Sequence, residues 1–413
     1  MLRYSLKKSA TDLYEYAGRN WLEIDLDKLD HNYLTIKSLL PEDTEIIPVI
    51  KADAYGHGAL DIARALNDLD TIPCFAVACL DEALFLRHNG INNKILLLSS
   101  NEMERYKEGI AEDFIFALPN LVVAKALDSA AKALGKKANV HIALDTGLGR
   151  LGFRTNREDS LEQVLKLKDF PNLNITGIYS HYATATGMDY SQAEPSESLA
   201  DEFYELQTKR FVNFTERLEA EGMQFKTKHI SNSSGLFAHH NTAFSAIRPG
   251  LSLYGVNSSE NMGDTGLEPI MSWKTRVFDI KRLKAGESVS YERHFVAKKD
   301  TLVAVLPVGF ADGYDRTLIN KAKVLYKGKI CPVLGIISMD MIMVDITKVG
   351  KEAKIGDEVT LMQDEAGKDK LNVYTLAKWR NVNYSSIFVG ISKRVPKIYK
   401  RGNKYLELVK YLN

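Results

Sequence analysis

The chain has 413 residues, with 54 Lys and Arg against 53 Asp and Glu, and a formal net charge of +1. A chain of this length is expected to form about two or three domains, and its balanced charge gives no reason to expect a nucleic-acid partner. No segment approaches the roughly 18 consecutive apolar residues of a membrane span, and the first residues lack a signal-peptide core. The three cysteines form no CxxC pair. These features favour reduced thiols, a cytoplasmic location and no membrane association.

Short apolar runs alternate with amphipathic helical stretches between about residues 46 and 254, which is typical of parallel β/α units. The runs are IIPVI (46–50), CFAVACL (74–80), KILLLSS (94–100), DFIFALP (113–119), NVHIAL (139–144), ITGIYSHY (175–182), FKTKHIS (225–231) and FSAIRPGLSLYG (244–255). Eight such strands close a (β/α)8 barrel. We therefore predict a barrel over residues 27–257. Among its helices, residues 121–134 are expected to start at an Asn120 cap and to end at Gly135.

The C-terminal part has a different pattern, in which strands follow one another without helices and are separated by Gly and Lys turns. The strand segments are VSYERHF, TLVAVLPVGF, KVLYKGKICPVLGIISMDMIMVDI and DEVTLM. This pattern predicts a mainly-β domain over residues 258–413. Residues 1–26 form a tail that ends in the alternating strand WLEIDL (21–26), which we expect to pair with the C-terminal domain.

A lysine ends the first predicted barrel strand, in the segment VIKADAYGHG (49–58). Barrel enzymes place their chemistry at the carboxyl ends of the strands. Partial desolvation there lowers the pKa of a lysine, and its amine can then form a Schiff base with an aldehyde. The alternative is that Lys51 simply extends into solvent.

Two segments could bind a phosphate. SNSSG (231–235) leads from a strand into a helix, so its amides and hydroxyls can contact an anion. Gly250 and Leu251 can bring backbone N–H groups close to a phosphate because glycine has no side chain. Helix capping in the first segment and an ordinary turn in the second explain the same residues. No HExxH or Cys/His metal set is present, so no metal site is predicted.

Nine segments, in chain order, resemble those of the alanine racemases, a family of pyridoxal-phosphate enzymes. The segments are KADAYGHG (51–58), DTGLGRLGF (145–153), HYATA (181–185), NSSG (232–235), RPGLSLYG (248–255), VSY (289–291), PVGFADGY (307–314), SMD (338–340) and ISKRVPKIY (391–399). The resemblance implies an N-terminal barrel, a C-terminal β domain, pyridoxal 5'-phosphate as cofactor and interconversion of L- and D-alanine.

The resemblance also assigns cofactor contacts. It implies that Lys51 carries the cofactor and that four residues hold its phosphate: Tyr55, Ser233, Gly250 and Leu251. Arg248 would face the pyridine nitrogen, with His229 orienting it and His181 beside the ring. Because arginine only donates hydrogen bonds, the ring nitrogen would stay unprotonated and the cofactor would be a weaker electron sink.

Racemisation removes a proton from one face of the substrate and returns one to the other, so it calls for two bases. By resemblance these are Lys51 and Tyr291 of the partner subunit, with His181 linking to the tyrosine. The active form would then be a homodimer with shared sites. Arg150 and the backbone amide of Met339 would bind the substrate carboxylate, and Arg150 would also meet the phenolic oxygen of the ring. Without the resemblance, Tyr291 is a packing residue of a strand and Met339 belongs to a core methionine stripe.

Three positions depart from the family pattern. Ala143 stands where many members have a carbamylated lysine that holds the active-site arginine, so we expect chloride, water or another carboxylate beside Arg150 because a buried guanidinium needs a partner. Lys393 and Phe310 replace tyrosines at the entrance of the active site, so the resemblance does not determine which amino acid is the substrate. The alternatives are a racemase of serine or of broader specificity, a decarboxylase of the same architecture, and a non-catalytic pyridoxal-phosphate carrier, which would consist of the barrel alone.

Overall fold

The computed structural model describes residues 2–5, 17–99, 101–184, 197–238, 244–257, 264–367 and 370–411. Its contacts divide the chain into two compact units. The first, which we call the barrel unit, comprises Asn32–Leu267, and the second, the β unit, comprises Met1–His31 and Glu268–Asn413. The division falls within the helix Leu26–Ser38. None of the described helices combines the length and apolar character that a bilayer-spanning helix needs.

Eight parallel strands form the main sheet of the barrel unit and confirm the predicted barrel. In chain order, the first to eighth barrel strands are Glu45–Ile46, Cys74–Val77, Lys94–Leu97, Ile115–Leu118, Ala138–Asp145, Leu173–Tyr179, Thr227–Asn232 and Ala246–Arg248. The first strand pairs with the eighth. It approaches the second through a parallel bridge between Val49 and Ala76, which almost closes the barrel. A short strand, Phe153–Arg154, pairs with the fifth.

Helices follow the barrel strands, as the β/α pattern requires. They are Ala59–Leu69, Leu80–His88, Tyr106–Ala111, Leu121–Leu134, Ser160–Leu165, Glu197–Ala220 and Ser233–Ala238, with 3₁₀ turns at Met103–Arg105, Lys166–Asp169 and Leu251–Tyr254. The helix Leu121–Leu134 has the predicted ends: the Asn120 side chain accepts a hydrogen bond from the Val123 amide, and Gly135 is left-handed. Because the strands are parallel, their carboxyl ends lie at one rim of the barrel, where the candidate site lies.

The β unit is built on one large sheet. Its strands, in spatial order, are Leu2–Ser5, Lys404–Lys410, Lys397–Arg401, Asn20–Asp25, Met271–Arg276, Glu358–Met362, Lys323–Tyr326, Lys329–Leu334, Ile342–Asp345, Thr301–Leu306 and Asp279–Leu283. Among these described strands, only Asn20–Asp25 and Lys397–Arg401 pair in parallel. The N-terminal strand Asn20–Asp25 therefore lies inside the sheet of this unit, with Met271–Arg276 on its other side.

Shorter elements complete the β unit. The strands Ser288–Val289 and Phe295–Val296 form a hairpin. Its other elements are the 3₁₀ turns Tyr291–Arg293, Phe310–Asp312, Arg316–Leu318 and Gly350–Glu352 and the helices Val373–Arg380 and Tyr384–Val389. The expectation of strands without helices is thus wrong for residues 373–389. Asn372 and Asn383 cap the two helices with their side chains, a signal that the sequence carries.

Candidate active site

Lys51 follows the first barrel strand, two residues after the bridge at Val49, and begins an unusual backbone segment. The next four residues, Ala52 to Tyr55, all have positive φ, between 51° and 56°. A left-handed turn of this kind costs roughly 1–2 kcal/mol for each residue with a side chain. Such strain persists only where the surroundings impose it, and it is concentrated at functional sites. The turn lets Lys51 and Tyr55 line the same cavity, although they are only four residues apart.

The Glu82 carboxylate is one group that imposes the turn. One of its oxygens accepts a hydrogen bond from the Ala52 amide at 2.6 Å, and the other accepts from the Ala78 amide at 2.8 Å. Glu82 therefore ties the residue after Lys51 to the end of the second barrel strand. Burial, followed by the charge of Arg150, lowers the pKa of Lys51, whereas the Glu82 charge raises it. The net lowering is in the direction that a free amine requires.

We expect Glu82→Gln to destabilise the protein by about 1–3 kcal/mol in denaturant unfolding, because an amide nitrogen would face a backbone N–H. The pKa of Lys51 should fall further, since the Glu82 charge that raises it is gone. The measurement is the rate at which cofactor-free protein is acylated at Lys51 as a function of pH, whose midpoint should move to lower pH. Glu108→Gln is the matched control, because Glu108 makes its hydrogen bonds to the surface residue Arg105. An unmoved midpoint in Glu82→Gln would show that Glu82 does not control the amine.

Two adjoining cavities open at the carboxyl ends of the barrel strands. The larger, of about 350 Å³, is lined by Lys51, Ala78, Leu98, Ser99, Leu144, Asp145, Leu148, Arg150, Leu151, Tyr179, Ser180, His181 and Arg248. The smaller, of about 150 Å³, is lined by Val49, Lys51, Tyr55, Leu98, His181, Asn232, Ser233, Ser234, Arg248, Gly250 and Leu251. Lys51 and Arg248 line both, so a molecule with a ring and an anionic arm can occupy the pair.

The smaller cavity collects hydrogen-bond donors. The Ser233 hydroxyl accepts from the Gly250 amide at 2.9 Å and lies 3.0 Å from the Ser252 hydroxyl. A side chain at position 250 would place its Cβ 2.7 Å from the Tyr55 hydroxyl, so glycine leaves room for that hydroxyl. Burial raises the pKa of Tyr55 to about 12, so it remains a phenol that can donate. This donor set suits a phosphate.

Arg248 is the central cation of the larger cavity. It is 2% exposed, and it donates to the Ser180 carbonyl at 2.7 Å and to His229 Nδ1. Its Nη2 also lies 3.3 Å from Nδ1 of His181. Burial lowers the pKa of Arg248 to about 10, so the guanidinium stays charged at neutral pH and only donates.

Tyr179 lies beneath this arginine. Its ring stacks on His229 with centroids 5.2 Å apart and lies 5.4 Å from the Arg248 guanidinium carbon. Its hydroxyl is buried and has no hydrogen-bond partner in the described part of the chain. Burial raises the pKa of Tyr179 to about 12. The cavity therefore offers a neutral hydroxyl that is still free to bind a polar group.

Arg150 lines the same cavity without a fixed partner. Ala143 packs with Ala117 and Tyr179 in a small apolar cluster, and no described carboxylate pairs with Arg150. Asp145, the nearby acid of the cavity wall, instead accepts from the amides of the loop residues 147 and 149 at 3.0 and 2.9 Å. The expectation of a buried guanidinium is wrong for the single chain, because Arg150 is exposed. A chloride or water partner stays a prediction.

Tyr291 lies in the β unit, in the turn Tyr291–Arg293 rather than within a strand, and its side chain is 64% exposed. Ser290 has φ of 75°, and its hydroxyl donates to the Ile336 carbonyl at 2.9 Å and accepts from the Ile336 amide at 2.7 Å. A Cβ at Gly335 would meet Ser290 at 2.4 Å. The alternative of a packing tyrosine is therefore wrong, because this turn presents the phenol to solvent.

Met339 is held on the same unit by the segment that carries Phe310. Its carbonyl accepts from the Ala311 amide at 3.0 Å, and a side chain at Gly309 would come within 2.4 Å of that carbonyl. Met339 is 55% exposed, so the core-stripe alternative is wrong for it. Phe310 is also exposed, and Lys393 lies 5.9 Å from the Tyr411 ring.

The structure brings nine of the predicted site residues together on the barrel unit: Lys51, Tyr55, Arg150, His181, His229, Ser233, Arg248, Gly250 and Leu251. Tyr291 and Met339 belong to the β unit, and their roles stay predictions. The sequence analysis missed Glu82 and Tyr179. Glu82 follows a barrel strand and Tyr179 ends one, and that position is the signal that could have found them.

An amine of lowered pKa, a permanent cation and a donor-lined pocket at the carboxyl rim of a β/α barrel form a site that suits an anionic ligand able to react with an amine. The sequence model of the alanine racemase N-terminal domain matches residues 24–258, and that of the C-terminal domain matches residues 270–399. The chain belongs to the alanine racemase family, which confirms the resemblance and the enzyme class, an isomerase that racemises an amino acid.

Individual relatives agree over nearly the full length. The chain is 38% identical to the alanine racemase of Clostridium novyi over 97% of this chain and all of that protein. Among solved structures, the alanine racemase of Clostridium difficile 630 aligns with a TM-score of 0.88 and 33% identity, covering 96% of this chain and 99% of the other. The alanine racemase of Bacillus anthracis with bound L-Ala-P aligns with a TM-score of 0.85 and 30% identity, covering 96% and 98%.

Proposed function

We propose that this chain interconverts L- and D-alanine with pyridoxal 5'-phosphate bound in the barrel unit. The observation that carries the proposal is that Lys51, with its lowered pKa, lines both the donor-lined pocket and the larger cavity, together with the permanent cation Arg248. The curated relatives are alanine racemases, which supports alanine as the substrate. Nothing in the comparisons favours serine, a decarboxylase or a carrier. A non-catalytic carrier would consist of the barrel alone, whereas this chain also contains the β unit.

The residues present fit the cofactor. Gly250 leaves room for the Tyr55 hydroxyl in the anion pocket, and the buried Tyr179 hydroxyl, which has no partner among the described residues, can bind a polar atom. Tyr55, Ser233, Gly250 and Leu251 would hold the phosphate, and Lys51 would hold the aldehyde carbon. When bound, pyridoxal phosphate supplies an aldehyde that joins the substrate amine and withdraws electrons from the α-carbon.

Arg248 would determine how strongly the bound cofactor withdraws electrons from the substrate. A group that only donates would meet the pyridine nitrogen as an acceptor and keep it unprotonated. With that nitrogen unprotonated, the bound cofactor would be a weaker electron sink, and Arg248 would in this way favour return of the proton to the substrate α-carbon over transfer to another atom. His181 and His229 orient the guanidinium from two sides.

Two bases divide the proton transfers. The Lys51 amine takes or returns the α-proton on one face, and the lowering of its pKa by burial and by the Arg150 charge favours the free amine that a base needs. Tyr291 of the partner subunit serves the opposite face in a homodimer with shared sites, so the C-terminal domain supplies one base to its neighbour. Arg150 and the Met339 amide hold the substrate carboxylate. The reaction takes place in the cytoplasm.

The test is incubation with L-alanine in deuterated water in the presence of pyridoxal phosphate. We expect α-proton exchange, followed by NMR, and loss of optical rotation to proceed together. L-Serine measured under the same conditions tests the alternative substrate. No exchange of alanine by protein that has bound the cofactor would reject the proposal, and faster exchange of serine would move it to that substrate.

A further inference from the structure

A buried pair of histidines connects Arg248 to the opposite end of the barrel. His229 lies between Arg248 and His141, whose Nδ1 is 2.8 Å from His229 Nε2. His141 is 3% exposed and stands in the fifth barrel strand, where the register with the sixth strand shifts between Val140 and His141. That shift sets His141 opposite Gly177.

The barrel makes room for this second histidine. A Cβ at Gly177 would lie 2.7 Å from Nε2 of His141 and 2.7 Å from the Thr227 carbonyl. Beyond His141 lies a cavity of about 270 Å³ at the amino ends of the strands, with Glu45, Lys94, Asp113, Lys226 and His141 among its lining residues. The outer edge of the imidazole therefore meets a polar cavity and not the packed core.

The direction of the hydrogen bonds follows from Arg248. A guanidinium can only donate, so His229 Nδ1 must accept. The neutral ring of His229 then carries its proton on Nε2 and donates it to Nδ1 of His141, whose own proton lies on Nε2 towards the cavity. Burial, followed by the charge of Arg248, lowers the pKa of His229 well below its usual value and that of His141 to about 3, which keeps both rings neutral.

We propose that His141 is a positioning residue, which fixes His229 in the tautomer that accepts from Arg248 and so holds the cation of the active site in place. Without an acceptor at position 141, the Nε2–H tautomer of His229 loses its buried partner. The fraction of His229 in the Nδ1–H tautomer then rises, although in this tautomer the Nδ1–H faces an N–H donor of Arg248. The kinetic consequence rests on the proposed function, but the tautomers do not.

The tautomers can be read directly from protein labelled with ¹⁵N at histidine, by two-bond ¹H–¹⁵N correlation NMR with and without pyridoxal phosphate. We expect His229 and His141 of the wild-type chain each to carry the proton on Nε2. His229→Gln and His141→Gln assign the two signals by loss. A protonated Nδ1 on His229 in the wild-type chain would overturn the proposal, whether or not the cofactor binds.

Variants then separate positioning from packing. In His141→Leu we expect a population of His229 protonated on Nδ1 and a fall of about tenfold in kcat for alanine, larger than the change in KM. His141→Gln keeps an acceptor and should stay within about threefold of wild type. His88→Leu, at an exposed histidine on the barrel unit, is the control. Equal losses in His141→Leu and His141→Gln, with His229 unchanged in both, would show that His141 only fills space.

Discussion

Replacing Lys51 with alanine is expected to lower the rate of alanine racemisation by roughly 10⁴-fold or more and to remove the absorbance of covalently bound cofactor. Lys51 is the lysine that lines both cavities at the rim and has a pKa lowered by burial and by Arg150. Its loss removes both the covalent anchor and one of the two bases. The measurement is racemisation of each enantiomer at saturating pyridoxal phosphate, together with an absorbance spectrum of the dialysed protein.

The control is Lys125→Ala, at an exposed position of the helix Leu121–Leu134. It should leave the spectrum and the rates unchanged. Retention of the bound-cofactor spectrum in Lys51→Ala would mean that another amine carries the cofactor, and substantial racemisation without that spectrum would contradict the cofactor itself. Added methylamine should partly restore the rate, because a small amine can enter the space that the shorter side chain leaves.

The sequence predicted the barrel well because its strands are short apolar runs buried on both faces. The fifth strand, Ala138–Asp145, is buried along almost its whole length, as a run such as NVHIAL indicates. Strand Asn20–Asp25 was harder, since its alternating pattern suggests one polar face, yet all six residues are buried. Lys274 pairs with Glu23 at 3.1 Å and Lys400 pairs with Asp25 at 3.1 Å, so the polar face is covered by distant residues. Such partners cannot be read from local sequence.

Position at a strand end pointed to Lys51, whereas His181 and Arg248 were assigned only from the family resemblance. Parallel strands bring their carboxyl ends to one rim, which explains why the three residues meet although they are far apart in sequence. The left-handed turn after Lys51 was not predictable, because Ala and Tyr have no preference for positive φ and the turn depends on contacts such as the one from Glu82. His141 was missed because a histidine within a strand looks like a core residue until its partner is known.

The role of Tyr291 as the second base is tested first with the single variant Tyr291→Phe. This variant should reduce racemisation by roughly 10²–10⁴-fold while keeping the bound-cofactor absorbance. It should also impair the two directions unequally when proton exchange at each enantiomer is followed. Its exposed position in the turn Tyr291–Arg293 means that loss of one hydroxyl should leave the fold unchanged. Equal, wild-type-like rates in both directions would rule out a second base at this position.

Coexpression of Lys51→Ala chains with Tyr291→Phe chains should restore activity that neither variant has. In a mixed dimer with shared sites, one site receives Lys51 from the Tyr291→Phe chain and Tyr291 from the Lys51→Ala chain, whereas the other site receives neither. With random pairing of equal amounts, half of the dimers are mixed, so about a quarter of the wild-type activity should return. Native mass spectrometry would establish that mixed dimers form. If they form and the activity stays at the sum of the two variants, Lys51 and Tyr291 do not act across a subunit boundary, because only a shared site can regain both groups from two damaged chains.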